Sequence, residues 1–181
     1  MVPKELQKPL NVAAPPVTPD VTLVSLAKPF ASAKLAEGLS DEAYARAFLN
    51  PFGADLGRGV LYRDKAGQIV TITDGLLRDY AGELKVNKFG RGAFMAHLAE
   101  SIYDPDEIWV NWQFDERTKQ WRLVRNYLRV SPDEAGFAAL SWRDGLFWFG
   151  NTVFSPRKRG KVQMNYLEAR RQGALIYRRG E

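Results

Sequence analysis

The chain of 181 residues has no cysteine and only one histidine. Without a thiol there is no disulfide scaffold, no cysteine nucleophile and no thiolate zinc or iron–sulfur site. One imidazole excludes histidine-rich metal sites and any mechanism that needs two imidazoles from one chain. No apolar run approaches the roughly 20 residues that span a bilayer, and the start does not resemble a signal peptide. The expectation is a soluble, cytosolic-type polypeptide without a membrane partner. The common phosphate-loop, zinc-protease, nucleophile-elbow and calcium-loop patterns are also missing, and LGRGV and FGRG read as glycine turns. Nothing indicates a cofactor or a metal.

What is present suits one packed domain with an appendage. Apolar residues make up 45% and aromatics 12%, enough for a sizeable core and too much for wholesale disorder. The net charge of +5 hides a gradient: residues 1–82 carry nine basic and nine acidic side chains, residues 83–116 three and seven, and residues 117–181 fourteen and five. A basic C-terminal half favours a polyanionic partner, although a solvated basic surface gives the same count.

Six of the ten prolines fall within residues 1–29, where no helical or strand period survives. Residues 1–39 read as a Pro-rich arm or linker, with Val21, Leu23, Val24 and Leu26 able to dock on a neighbour, and residues 40–181 as the domain. Ser40 caps a short helix with acidic Asp41 and Glu42 in its first turn, stopped by Pro51 and Gly53. GVLYRDKAGQIVTIT reads as a hairpin around DKAG, and TDGLLRDYAG as a helical turn or loop. RGAFMAHLAESIYDP reads as a helix, with Phe94, Met95, Leu98 and Ile102 on one stripe and Pro105 as its end. Four short strands follow, EIWVNWQF, WRLVRNYLRV, FAALSW and LFWFGNTVF, as an antiparallel meander. After the basic loop SPRKRGK come a helix-compatible segment stopped by Gly173 and a last strand, ALIYRR. Helices first and an antiparallel sheet afterwards make an α+β domain.

Strand alternation sorts the candidate side chains. In the second strand Val124, Leu128 and Val130 suit a core, while Arg125, Tyr127 and Arg129 share the other face, either as phosphate donors beside a stacking platform or as ordinary surface residues. Asn151 and Thr152 precede the loop of Arg157, Lys158, Arg159 and Lys161. An amide and a hydroxyl there would bind an oxyanion or merely satisfy a turn, and the loop would add salt-dependent affinity for phosphates. His97 lies off the apolar stripe, as an acid or base or as a boundary histidine. Lys85, Lys88 and Arg91 are an anion site at a helix start or a charged loop. Glu107 opens a strand as a base or as a partner of Arg125.

The order of these signals resembles a known pattern. The hairpin, then KFGRGAFMAHLAESIYDPDEIWVNW, WRLVRNYLRV, GNTVF and YLEARRQGALIY are similar to the phage-type nuclease domains of the barnase–EndoU–colicin–RelE superfamily, in particular the second phage PBECR family. The likeness runs from about Phe48 to Tyr177; the DPDEIW junction and the closing R-x-GALIY are its most specific pieces.

The resemblance implies N-terminal helices packed on a four- to five-stranded antiparallel sheet. It also implies a metal-independent endoribonuclease of phage or toxin type, in which the ribose 2′-OH attacks the adjacent phosphate and leaves a 2′,3′-cyclic phosphate. Mapped onto this chain, Arg125 and Arg170 are phosphate clamps and Thr152 a polar contact. Tyr127 or Tyr177 stacks bases or moves a proton, and His97 or Glu107 is the acid or base. Lys88, Arg91, Arg129, Asn151, Arg157, Lys158, Arg159 and Tyr166 complete the nucleic-acid-binding set. The late strands lack the histidine of barnase-like enzymes, which points toward the RelE type, where Arg, Lys and Tyr suffice. The implied partners are RNA, tRNA among them, a phage head or portal protein bound through the arm, and an immunity protein, in the bacterial cytoplasm or the virion. The alternatives are a non-catalytic virion or assembly protein on the same fold and, more weakly, a DNA-binding module.

Overall fold

The computed structural model describes residues 19–143 and 147–181. The first α-helix, α1 (Asp41–Leu49), starts where Ser40 Oγ accepts the Ala43 amide at 3.1 Å, and its acidic first turn meets the positive end of the helix dipole. A hairpin follows, β1 (Val60–Arg63) and β2 (Ile69–Ile72). Its turn is built on Asp64, whose Oδ1 accepts the amides of Ala66 and Gln68 at 3.0 and 3.1 Å. Helix α2 (Met95–Tyr103) begins later than its apolar stripe predicts, because Phe89 and Gly90 take positive φ and the turns before Met95 are 3₁₀.

Strands β3 (Glu107–Asp115), β4 (Gln120–Val130), β5 (Ala135–Arg143) and β6 (Phe147–Phe154) form the expected meander. The basic loop is a small ribbon, β7 (Arg157–Lys158) and β8 (Lys161–Val162), turned by Arg159 and Gly160 at positive φ. A short α3 (Met164–Glu168) leads to β9 (Ala174–Arg178), antiparallel to β3.

The sheet is larger than four or five strands, and it is mixed. Its order is β1-β2-β6-β5-β4-β3-β9, seven strands, with β2 parallel to β6 through Val70↔Trp148 and Thr71↔Phe149. The hairpin thus joins the main sheet, because the long connection carrying α2 supplies the crossover that a parallel pair requires.

Both faces of this sheet are covered. Helices α1 and α2 bury Phe48, Leu49, Met95, Leu98 and Ile102 against Ile108, Tyr127 and Leu140. Close approach of α2 depends on Gly136, where a Cβ would lie 1.8 Å from Ser101 Oγ. The second face buries Trp109, Val124, Leu128, Val130 and Phe137 beneath Leu167 of α3 and Leu23 of the N-terminal segment.

Residues 19–39 therefore lie on the domain, at least in part. Arg129 donates to the carbonyls of Lys28 and Pro29 at 2.6 and 2.9 Å, while Glu100 accepts the amides of Ala31 and Ser32 at 2.8 Å each. Buried charges, not apolar contacts alone, hold this strap down. Residues 1–18, with most of the Pro-rich stretch, lie outside the described residues.

Candidate nucleic-acid site

Two β-bulges decide which side chains meet. Between β5 and β6 the register runs Ala139↔Thr152 and then Leu140↔Gly150, leaving Asn151 as the extra residue. A one-residue slip reverses the face of everything beyond it, so the bulge turns Thr152 away from the helices and onto the second face. The side chain of Asn151 lies outside the described residues. Between β3 and β9 the register runs Ile108↔Tyr177 and then Trp109↔Leu175. Tyr177 is thereby placed on the helix-packed face, against the first core. Burial raises the pKa of its hydroxyl.

The second face presents rows of facing residues across the strands. One row is Trp109, Asn126, Ala139 and Thr152; the next is Asn111, Val124, Ser141 and Phe149. Above the aromatic end, Tyr166 of α3 meets Phe137 and Phe154 edge-on at 5.6 and 5.4 Å between ring centroids. Arg170 stacks on Tyr166, its guanidinium carbon 4.2 Å from the ring centroid, with no carboxylate partner among the described residues. Thr152, Tyr166 and Arg170 therefore share one face.

At its other end this face opens into a cleft of about 710 Å³. Gln113, Arg122 and Phe149 line it from the sheet, and Arg78, Tyr80 and Arg117 from the loops. Arg122 pairs with Asp115 at 3.0 Å and Arg78 with Asp74 at 2.9 Å. The Arg117 guanidinium lies 5.9 Å from the centroid of the Tyr80 ring, with no ion-pair partner among the described residues, and Tyr80 is 98% exposed.

Several candidates stand elsewhere. Arg125, Tyr127 and Arg129 do share a face, but it is the one packed beneath the helices, and all three are buried there. Arg125 Nε donates to Asp64 Oδ2 at 2.9 Å and Nη1 to Gln68 at 2.8 Å, and the Tyr127 hydroxyl donates to the same Asp64 oxygen at 2.7 Å. All three side chains are fully enclosed, so Arg125 is no phosphate clamp and Tyr127 no stacking platform. Burial pushes the Tyr127 hydroxyl well above its ordinary pKa.

Glu107 is also committed, to partners other than Arg125. It receives Arg171 at 2.7 and 2.8 Å, Arg178 at 3.0 Å and the Trp109 indole at 2.7 Å. Burial alone would raise its pKa, yet the bonds from Arg171 and Trp109 hold it below the usual carboxylate range. A carboxylate with four donors is a poor base.

His97 is buried rather than at a boundary. Its ring stacks on Phe30 at 4.3 Å, and Nδ1 lies 2.8 Å from Ser32 Oγ, whose own proton goes to Glu100. Burial lowers its pKa and keeps it neutral near pH 7, despite the nearby Glu100 and Glu134.

The remaining candidates are peripheral to the second face. Arg157 pairs with Glu134 and lies 5.3 Å from the Phe94 ring centroid. Lys158 and Arg159 are exposed on the β7–β8 ribbon, and Lys88 is exposed over Phe89 at 5.2 Å. Arg91 donates to the Lys85 carbonyl at 2.6 Å, and burial lowers its pKa.

A family model matches residues 47–178, which take in the whole sheet, α2 beneath it and α3 above, and only the last three residues of α1. The chain belongs to the phage-Barnase-EndoU-ColicinE5/D-RelE like nuclease2 (PBECR2) family. Membership implies a nuclease of the barnase/RelE-like superfamily. No curated protein and no solved structure matches the chain. The PBECR2 region contains Thr152, Tyr166 and Arg170 and the sheet side of the cleft, while the strap precedes it.

Sequence reasoning missed Tyr80, Arg117 and Arg122. They become neighbours only through the loop that brings residues 78–85 to the β3–β4 turn. No helix among the described residues is long and apolar enough to cross a membrane.

Proposed function

We propose that this PBECR2 domain is a metal-independent endoribonuclease whose substrate lies along the half-exposed part of the second face, around Thr152, Tyr166 and Arg170. The supporting observation is Arg170: it stacks on Tyr166, with no carboxylate partner among the described residues, on the face that carries the Thr152 hydroxyl. A cation of that kind has its donors available for a phosphate, whereas Arg125, Arg129 and Arg171 have spent theirs on buried partners.

In this reading the 2′-oxygen attacks the neighbouring phosphorus and the P–O5′ bond breaks. The products are a 2′,3′-cyclic phosphate and a 5′-hydroxyl. The 2′-OH proton is lost to solvent as the bond forms, and the leaving 5′-oxygen takes one up. Arg170 offsets the charge that builds on the equatorial phosphate oxygens, and Thr152 orients the reacting unit by a hydrogen bond. Among the described residues no three His, Asp or Glu side chains converge as metal ligands would, so the reading rests on side-chain cations. The carboxylates of this face, Glu107, Asp115 and Glu168, are all engaged in ion pairs. General acid–base assistance worth ~10²–10⁴-fold is therefore forgone, and the enzyme is slow. The cleft with Tyr80 and Arg117 takes the continuing strand by stacking and phosphate contact.

The test is incubation with total RNA in EDTA, followed by end mapping. Cleavage with cyclic-phosphate ends is expected; RNA left intact across salt and pH would overturn the reading. That second outcome favours a non-catalytic domain, a reading motivated by the commitment of both His97 and Glu107 to structural partners.

A further inference from the structure

Three neighbours of Arg170 in the chain meet the N-terminal strap. Leu167 is fully buried in the same core as Leu23. Glu168 Oε1 accepts the Leu23 amide at 3.0 Å, and Arg171 Nη1 donates to the Val21 carbonyl at 2.6 Å. The two side chains are also joined to each other, Arg171 Nη1 to Glu168 Oε2 at 3.0 Å. The bonds therefore close on themselves, from Leu23 through Glu168 and Arg171 back to Val21. Asp20 extends the contact to β9 by pairing with Arg178 at 2.7 Å.

Helix α3 needs such support. It has five residues and no side-chain cap from Gln163, and an isolated helix of that length does not persist in water. Beyond it Ala169, Arg170 and Arg171 each donate to a single carbonyl, of Asn165, Leu167 and Glu168. The sheet holds this stretch through Leu167, Tyr166 and the bonds from Arg171 to Glu107. The strap completes the hold at Glu168 and Arg171, on either side of Arg170. A segment that merely covered apolar surface would need Leu23 alone.

The strap itself has two parts. Residues 28–35 are fixed by Arg129, by Glu100 and by the Leu35 amide, which donates to the Ala93 carbonyl at 2.9 Å. Residues 20–27 rely on the contacts to α3 and Arg178 and on one 3₁₀ turn, Leu23–Leu26, in which Val24 is 62% exposed. Beside that turn a cavity of about 380 Å³ opens between Val24, Ala27, Lys161 and Met164. The front part is thus packed on one side only, and it can leave α3 while the rear part stays seated. The matched family region begins at residue 47, so the whole strap lies outside it.

We infer that residues 20–27 form a clip that positions Arg170. Seated, the clip holds α3 and keeps the guanidinium over the second face; lifted, it leaves Arg170 unplaced and cleavage slow. Cleavage then depends on a segment outside the family domain. This rests on the proposed role of Arg170, but the hold on α3 is measurable without RNA.

The experiment uses the full chain carrying Leu23→Ala, with Leu23→Met as the conservative control. Amide hydrogen exchange is followed by mass spectrometry on peptides covering residues 163–172, with β4 and β5 as internal references. Single-turnover cleavage is measured in parallel, well below the melting temperature. In Leu23→Ala, exchange across 163–172 accelerates by about tenfold or more while β4 and β5 keep their wild-type rates, because a locally held segment opens without global unfolding. The cleavage rate falls by about tenfold or more, and Leu23→Met restores both. Glu168→Ala, at a half-exposed position, has the same effect and serves should Leu23→Ala fail to fold. Exchange that is unchanged at 163–172, or that accelerates equally in β4 and β5, would reduce Leu23 to core filling and overturn the clip. A loosened α3 with an unchanged cleavage rate would overturn it too. A loosened α3 in a protein whose wild type cuts no RNA would support the hold on α3 while removing the nuclease reading.

Discussion

The guanidinium carbon of Arg170 lies 4.2 Å from the centroid of the Tyr166 ring, and Tyr166 is in turn wedged edge-on against Phe137 and Phe154. Tyr166 is thus a support for Arg170 rather than a proton carrier. Tyr166→Phe keeps the ring and loses the hydroxyl, so its cleavage rate stays near wild type. Tyr166→Ala removes the support and lowers the rate sharply. A rate that collapses in the phenylalanine variant would instead make the hydroxyl a participant in the chemistry.

Arg125 and Asp64 have the opposite character. Both side chains are fully enclosed, and each is the other's charge partner. Removing one member of a buried pair typically costs about 3–5 kcal/mol, because the survivor is left uncompensated. Arg125→Met therefore lowers the urea midpoint strongly, and Asp64→Asn does likewise. Any activity lost in these variants follows the unfolded fraction. A stable Arg125→Met protein with impaired RNA binding would return this arginine to the substrate.

His97 gives stability a pH dependence near neutrality. Burial depresses its pKa below the ordinary value of about 6.5, so the folded protein takes up the proton less readily than the unfolded chain. The corresponding stability is present above the unfolded pKa and is lost as pH falls through the folded one. Asp106, whose pKa burial raises to about 6, acts in the opposite direction over the same range, so the histidine is read by difference: His97→Phe, which keeps the stack on Phe30, gains urea midpoint at pH 5.5 relative to pH 7.5 when each is compared with the wild type. Below this window the depressed pKa values of Glu100 and Glu107 act in the same direction as His97. An unchanged slope in His97→Phe would remove the histidine as the cause.

Arg117 and Tyr80 at the cleft predict a length effect. Neutralising one phosphate contact on a single strand reduces the salt slope of log K by about 0.7. Arg117→Ala lowers that slope for a long oligonucleotide and leaves dinucleotide cleavage intact, and Tyr80→Ala weakens long substrates without a change in slope. Equal effects on short and long substrates would place the cleft off the path of the RNA.

Much of the architecture was legible. Turn residues and strand periods located the meander, the hairpin and the last strand, because each depends on local chemistry. Strand count was less accessible, since nothing in IVTI announces a parallel partner in FWFG. Arginine was the hardest residue to read. Arg125, Arg129, Arg171 and Arg178 belong to the basic half that suggested a polyanion, yet they are buried against Asp64, Glu100 and Glu107. Net charge cannot separate a cation facing solvent from one facing a buried carboxylate far away in the chain. Alternation correctly grouped Arg125 with Tyr127 but could not show that helices cover that face. The positions of Thr152 and Tyr177 depended on single-residue bulges, which leave no mark in the sequence pattern.

The most direct measurement is the single-turnover cleavage rate of Arg170→Ala beside the wild type, in EDTA, with melting temperatures matched. Loss of a charge-stabilising donor costs about 10²–10³-fold in rate, and a half-buried arginine with no ion-pair partner among the described residues can be removed with little effect on stability. The expected result is a fall of that size in a folded protein, with the residual products still ending in 2′,3′-cyclic phosphate. A folded Arg170→Ala protein that cuts RNA at the wild-type rate would contradict a catalytic centre on the second face of the sheet.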